Sequence, residues 1–139
     1  MRIIQYARLF LGTPYLWGGS SPQGWDCSGF IQEVLSFAGV DPKGDQTAQD
    51  LMNHFIRHGT ELRTPGALCF YGKDKKSIAH VAMMTSDNTV IEAGGGNELC
   101  IDLKVSANKS AFVRERPITH RSDLILTLRP EYPKWVLEE

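Results

Sequence analysis

A cysteine at the start of a predicted helix is the residue of this chain best suited to nucleophilic chemistry. Cys27 follows a glycine-rich loop that begins at Gly18 and ends on Asp26, a residue type that caps helix N-termini well. A thiol in the first helical turn lies at the positive end of the helix dipole, which favours its thiolate form. A small cysteine packed under a helix is the alternative interpretation, but it leaves the preceding glycines unexplained.

A cysteine nucleophile needs a base, and the base needs a group that orients it. His80 interrupts the apolar run 78–84, and Glu92 interrupts the apolar run 89–93, with a turn-forming segment between them. If this hairpin is centred near Ser86, His80 and Glu92 are direct cross-strand neighbours on one face. The sequence therefore predicts Cys27, His80 and Glu92 as one catalytic group.

The other three histidines carry weaker signals. His54 and His58 have the i, i+4 spacing of a metal-binding pair on a helix, but no third ligand is evident, so we interpret them as part of a solvent-facing surface. His120 follows Pro117 in a connection and has no partner in the sequence. No metal site is predicted.

The predicted elements place helices first and strands afterwards. Helices are expected over 3–11, from Cys27 to about Ala38, and from the N-cap Thr47 to a stop at Gly59. After residue 66 the hydrophobic period becomes two, which predicts strands over 67–71, 78–84, 89–93, 100–105, 112–115 and 124–128. This order predicts an α+β fold in which the N-terminal helices pack on an antiparallel sheet of five to six strands. The proline-containing tail over 129–135 is expected to be extended.

Size, charge and cysteine count exclude several classes of protein. A chain of 139 residues is expected to form one domain over 1–139. Its net charge of −1 lacks the excess of positive charge that nucleic-acid-binding proteins carry. Its apolar runs are too short to span a membrane, and its first eight residues lack the apolar region of a signal peptide. Three widely spaced cysteines argue against a disulfide framework, so Cys69 and Cys100 are interpreted as core residues.

Four short motifs give the chain a family resemblance. Residues 14–19 (PYLWGG), 26–30 (DCSGF), Pro65-Gly66 and His80-Val81 closely resemble the NlpC-type family of cell-wall endopeptidases, over residues 3 to 96. These are papain-like cysteine peptidases of bacteria and their phages. The resemblance implies a papain-like fold, with Cys27 as nucleophile, His80 as general base and Glu92, twelve positions later, as the third triad residue. The family usually has histidine at that third position, so Glu92 is a departure.

The resemblance also implies a substrate. It predicts hydrolysis of an amide bond in peptidoglycan stem peptides, between D-glutamate and a diamino acid, through a thioester and without a cofactor. Tyr15 and Asp26 match positions that flank the nucleophile and help hold the amino end of the substrate. The alternative interpretations are a packed aromatic side chain for Tyr15 and a helix cap alone for Asp26. Ser28 and Trp17 complete the predicted substrate-binding residues, and Trp25 either lines the cleft or packs in the core.

Two other functions stay open at this point. The first is an amidase or acyltransferase that acts on a different substrate. The second is a non-catalytic interaction module of a phage tail or cell wall, in which Cys27 would be inert. Because no signal peptide is visible, delivery by a phage, export by another route and cytoplasmic recycling all remain possible, as does a phage-tail or wall-targeting partner protein.

Overall fold

The computed structural model describes residues 1–21, 24–95, 107, 109 and 111–139. Its helices are α1 (Arg2–Arg8), α2 (Cys27–Phe37), α3 (Ala48–His58) and α4 (Lys134–Leu137), with one turn of 3₁₀-helix at Ile118–His120. Its strands are β1 (Ser20–Ser21), β2 (Gly24–Trp25), β3 (Gly59–Thr60), β4 (Leu68–Gly72), β5 (Ile78–Met84), β6 (Thr89–Gly94), β7 (Phe112–Pro117) and β8 (Leu124–Pro130).

Six of these strands form one antiparallel sheet in the order β3-β8-β4-β5-β6-β7. The short strands β1 and β2 pair with each other in the loop before α2. The predicted α+β class and antiparallel sheet are confirmed. Within the described ranges, no helix is long and apolar enough to cross a membrane.

The central strands of the sheet are buried on both faces. On one face α2 packs against β5 and β6, while α3 packs against β5 and β8. The helical period predicted this, since the buried residues of the two helices include Phe30, Ile31, Val34, Leu35, Leu51, Met52 and Phe55. On the other face a smaller cluster contains Cys69, Tyr71, Met84 and Ile118. Cys69 is a core residue as predicted, and burial raises the pKa of its thiol to about 12.

Several element boundaries differ from the predicted ones. α1 ends at Arg8 rather than at residue 11. Leu9 and Leu11 are exposed, so their burial does not stabilise a longer helix. The tail is not wholly extended: α4 begins after Pro133 and buries Val136 completely. The loop after Tyr15 also contains the unpredicted strands β1 and β2. The predicted strand over 100–105 and the core position of Cys100 lie outside the described residues.

The N-terminus of α3 supports a stability prediction. Thr47 Oγ1 accepts a hydrogen bond from the Asp50 N–H at 3.1 Å, and Asp50 Oδ2 accepts one from the Thr47 N–H at 3.0 Å. Thr47→Ala removes one of these partners, so it should lower the free energy of unfolding by about 1 kcal/mol in urea titrations. Thr47→Ser keeps the hydroxyl and is the matched control. Equal losses in both variants would contradict a capping role.

Candidate active site

Cys27 is the first residue of α2, as predicted, and its side chain is partly exposed. Asp26 is the N-cap: its Oδ1 accepts the backbone N–H of Gly29 at 2.7 Å. As the first helical residue, Cys27 has no helical carbonyl four positions earlier to accept its own N–H. The thiol and a backbone donor therefore lie side by side at the positive end of the helix.

The glycines around Cys27 have a packing role that the sequence did not reveal. A Cβ on Gly29 would collide with the carbonyl oxygen of Gly19, and a Cβ on Gly19 would lie 2.5 Å from the carbonyl oxygen of Gly24. The Asp26 N–H donates to the same Gly19 oxygen at 3.2 Å. These glycines allow the loop backbone to pack directly against the first turn of α2, which fixes where the thiol lies.

His80 and Glu92 meet across the β5–β6 hairpin. His80 Nε2 lies 2.8 Å from Glu92 Oε1, and the two residues are 7% and 1% exposed. The pairing of Met83 with Ile91 centres the hairpin on Asp87 rather than Ser86. Continuing that register places His80 opposite Gly94 and makes His80 and Glu92 diagonal neighbours on one face. The prediction of directly opposed residues is therefore wrong by two residues of register. A diagonal pair of long side chains is still within reach of a hydrogen bond.

The pKa values of this pair are displaced in opposite directions. Burial lowers the pKa of His80, but hydrogen bonds to Cys27 and Glu92 and the charges of both outweigh it and raise the value to about 9. Burial raises the pKa of Glu92, but the contacts with His80, His120 and Arg114 outweigh it and lower the value to about 2. These contacts favour the imidazolium form of His80, whose Nε2 faces Glu92 and whose Nδ1 is left for Cys27.

Glu92 has two further partners that sequence reasoning missed. Arg114 Nε donates to Glu92 Oε2 at 3.1 Å, and His120 Nε2 lies 2.8 Å from Glu92 Oε1. Arg114 is directly opposite Glu92 in the β6–β7 pairing, an opposite-charge pair of the kind that stabilises sheets. Knowledge of the β6–β7 register would have revealed the Arg114–Glu92 pair. No sequence signal placed His120 here.

His80, Glu92 and His120 are also the one group in the described ranges with the residue types and proximity of a metal site. Both Nε2 atoms lie 2.8 Å from Glu92 Oε1. Ligands around a tetrahedral Zn²⁺ would stand roughly 3.3 Å apart, given Zn–N bonds of about 2.0–2.1 Å. The short contacts and the adjacent Arg114 guanidinium favour hydrogen bonds over a bound cation. At His54 and His58 the ring centroids lie 4.6 Å apart, and the described residues offer no third ligand there.

A cleft of about 500 Å³ opens over these residues. Of the residues predicted to bind substrate, Tyr15 and Trp17 line it, and Trp17 is 55% exposed. Asp26 and Ser28 are not among the lining residues, and Trp25 is buried in the core against Phe10. The cleft also has a basic wall that the sequence did not predict, formed by Arg114, Arg116, His120 and Arg121.

Comparisons with known proteins find similar sequences. The sequence model of the NlpC/P60 family matches residues 12–120. The chain is 54% identical over 92 residues to a gamma-D-glutamyl-L-lysine dipeptidyl-peptidase of Bacillus subtilis, covering 66% of this chain and 31% of that protein. It is 33% identical over 93 residues to the protein of the same name from Bacillus cereus, covering 66% and 27%. The chain thus spans less than a third of the length of these relatives.

Solved structures extend the likeness to the fold. The NlpC/p60 domain of the peptidoglycan hydrolase SagA superposes with a TM-score of 0.65 at 26% identity, over 91% of this chain and 95% of that domain. An NlpC/P60 family protein from Bacillus cereus superposes with a TM-score of 0.69 at 23% identity, over 95% of this chain and 40% of the other. Such domains are papain-like, so the predicted papain-like fold is confirmed.

The His80–Glu92 pair should make stability depend on pH in a defined way. The raised pKa of His80 stabilises the fold fully below the ordinary value of 6.5, and this contribution is lost as the pH rises through about 9. The lowered pKa of Glu92 stabilises the fold above 4.5, and this contribution is lost as the pH falls through about 2. Urea unfolding should therefore show a loss of stability from pH 6.5 to 9 that is smaller in Glu92→Gln, which lacks the charge. Glu61→Gln, at an exposed position, is the control; parallel profiles for wild type and Glu92→Gln would contradict the ion pair.

Gly94 should be required for the position of the Glu92 carboxylate. A Cβ at Gly94 would collide with Glu92 Oε2 and would lie 3.1 Å from Arg114 Nη2. Gly94→Ala must therefore displace the carboxylate, and the pKa of His80, followed by NMR of its ring, should fall towards its ordinary value. The double variant with Glu92→Gln should show little further change, because both substitutions remove the same interaction. An unchanged His80 titration in Gly94→Ala would disprove the clash.

Proposed function

We propose that the chain, which belongs to the NlpC/P60 family, is a cysteine peptidase that hydrolyses an amide bond of peptidoglycan stem peptides, with residues 1–139 as one catalytic domain. The observation that carries the proposal is the hydrogen-bonded series from Cys27 through His80 to Glu92 at the wall of the cleft. In this proposal Cys27 is the nucleophile, His80 the general acid and base, and Glu92 the group that orients His80.

The first half of the reaction forms a thioester. The Cys27 thiolate attacks the carbonyl carbon, a C–S bond forms, and the carbonyl oxygen becomes an oxyanion that the Cys27 N–H can stabilise. When the tetrahedral intermediate collapses, the C–N bond breaks and His80 Nδ1–H gives its proton to the leaving amine. Glu92 keeps Nε2 protonated, so the nitrogen that faces the thiol is the one that exchanges protons.

The second half hydrolyses the thioester. Neutral His80 takes a proton from water at Nδ1, and the resulting hydroxide adds to the thioester carbonyl. The C–S bond then breaks, which restores the Cys27 thiolate beside the His80 imidazolium and releases a carboxylic acid that gives its proton to solvent. Because Glu92 stabilises the imidazolium, it favours the starting state of each new cycle.

The charge of the cleft supports an acidic peptide as substrate. A γ-linked D-glutamyl residue keeps a free α-carboxylate next to the bond that is cut. Arg114 is bonded to Glu92, and Arg121 is bonded through two nitrogens to Asp123. The Arg116 side chain lines the cleft and is exposed, and no hydrogen bond or ion pair joins its guanidinium to another described residue. Its guanidinium can therefore receive a substrate carboxylate.

The names of the relatives support the same bond. Two of them are called gamma-D-glutamyl-L-lysine dipeptidyl-peptidases, and another from Bacillus subtilis is a bifunctional muramidase/DL-endopeptidase. We therefore propose cleavage between D-glutamate and the diamino acid, with Tyr15 and Trp17 in contact with the peptide. The predicted contacts of Asp26 and Ser28 with substrate stay predictions. The relatives described above give no support to a phage-tail partner.

Cys27 should be the essential thiol. Cys27→Ala should lower kcat/KM on defined stem peptides by about a thousandfold or more, because Cys27 is the one thiol among the described residues that line the cleft. Cys69→Ala is the matched control: it should keep the activity while losing about 1–2 kcal/mol of stability, because it removes a buried sulfur from the core. The products, identified by mass spectrometry, should end in a free D-glutamyl γ-carboxylate.

Other outcomes of the same assay would overturn the proposal in different ways. Full activity in Cys27→Ala would exclude the cysteine mechanism. Intact stem peptides together with turnover of other amides or acyl donors would favour an amidase or acyltransferase. Intact stem peptides together with a Cys27 that does not react with thiol-directed electrophiles would favour a non-catalytic interaction module.

A further inference from the structure

His120 lies in an unusual position, in contact with the Glu92 carboxylate. Its side chain is 6% exposed and its Nε2 lies 2.8 Å from Glu92 Oε1, the same oxygen that bonds His80. The 3₁₀ turn that carries it is fixed from two sides, since Ile118 is buried and the Tyr71 hydroxyl donates to the Ile118 carbonyl at 3.0 Å. This buried framework holds the His120 ring against the carboxylate.

The hydrogen-bond partners of His120 determine its protonation. Nδ1 lies 3.0 Å from the carbonyl oxygen of Pro117, which can only accept, so Nδ1 must carry a proton. In a neutral ring Nε2 would then point a lone pair at the Glu92 carboxylate. A neutral His120 can therefore satisfy one of its two contacts, and only the imidazolium satisfies both. Glu92 does not supply the missing proton at neutral pH, because its own pKa is lowered to about 2.

The groups around His120 favour loss of its second proton, the one on Nε2. Burial is the largest effect on the pKa of His120 and lowers it, and the charges of His80 and Arg116 act in the same direction. Glu92 and the Pro117 carbonyl oppose this but do not outweigh it. The other ionisable groups around the ring are Tyr71, whose centroid lies 5.7 Å away, Arg121 stacked over Tyr71, and Arg114 on Glu92.

We propose that His120 is a positioning residue whose proton decides how Glu92 Oε1 is shared. When His120 is charged, the oxygen accepts from both histidines, and the carboxylate holds the His80 imidazolium less strongly. When His120 loses its proton, the same oxygen serves His80 alone, and the Cys27–His80 ion pair is favoured. This inference rests on the proposed peptidase function for its effect on rate, but its effect on His80 does not require substrate.

NMR titration of the histidine rings tests the coupling without any assay of activity. In the wild-type protein, the His80 signals should show a second inflection at the pH where His120 titrates. The inflection should be absent in His120→Gln, which keeps one N–H donor and cannot ionise, and present in the matched control His58→Gln on the exposed face of α3. A single His80 inflection in the wild-type protein would overturn the proposal, whatever the substrate of the protein.

The pH dependence of kcat/KM on a stem peptide gives a second readout. Between pH 7.5 and pH 5, the wild-type rate should fall about three- to tenfold more than the rate of His120→Gln, the equivalent of one net hydrogen bond. His58→Gln should follow the wild-type profile. Superimposable acid limbs for wild type and His120→Gln would overturn the effect on rate, whereas the absence of all cleavage would reject the proposed function and leave the NMR result standing.

Discussion

The site depends on the contacts that the buried carboxylate of Glu92 makes. A carboxylate that is 1% exposed would strongly destabilise the fold if it were unpaired. Here His80 and His120 contact Oε1, and Arg114 donates to Oε2, so three separate elements supply its partners. The geometry that orients His80 is therefore held by the same contacts that make the buried charge tolerable. Gly94 completes the arrangement by leaving room for the carboxylate to fold back over its own strand.

Cys27 belongs to a different element from the residues around this carboxylate. α2 packs on the sheet through its apolar face, and its first residue is placed by contacts of the glycine-rich loop rather than by the sheet. The β5–β6 hairpin places His80 beside that helix terminus, and the second buried cluster, through Tyr71 and Ile118, places His120. Local backbone packing therefore positions the thiol, whereas long-range burial positions His80, Glu92 and His120.

This division explains what could be predicted from the sequence. The helix of Cys27 and its Asp26 cap are local features, so periodicity and capping rules located them. The sequence predicted the shared face of His80 and Glu92 because side chains alternate between the two faces of a strand. A register error of an even number of residues leaves such a pair on the same face. The turn residues did not specify the hairpin centre, which lies one residue later than predicted, so the cross-strand pairing is displaced by two residues. Arg114 and His120 reach Glu92 through pairing and burial between distant segments, and local patterns carry no information about those contacts.

The departure of Glu92 from the usual family residue and the basic wall of the cleft have one physical explanation. A histidine in place of Glu92 could bond to the His80 ring as a neutral group, and its burial would require no counter-charge. A carboxylate at the same position stabilises the imidazolium more strongly, but it brings a full negative charge into the sheet. The charge becomes tolerable only with added donors: in this chain Arg114 supplies one, and His120 supplies a second when it is protonated. The three residues are thus coupled: a change at position 92 alone would leave a guanidinium and an imidazole facing a site that no longer holds an anion.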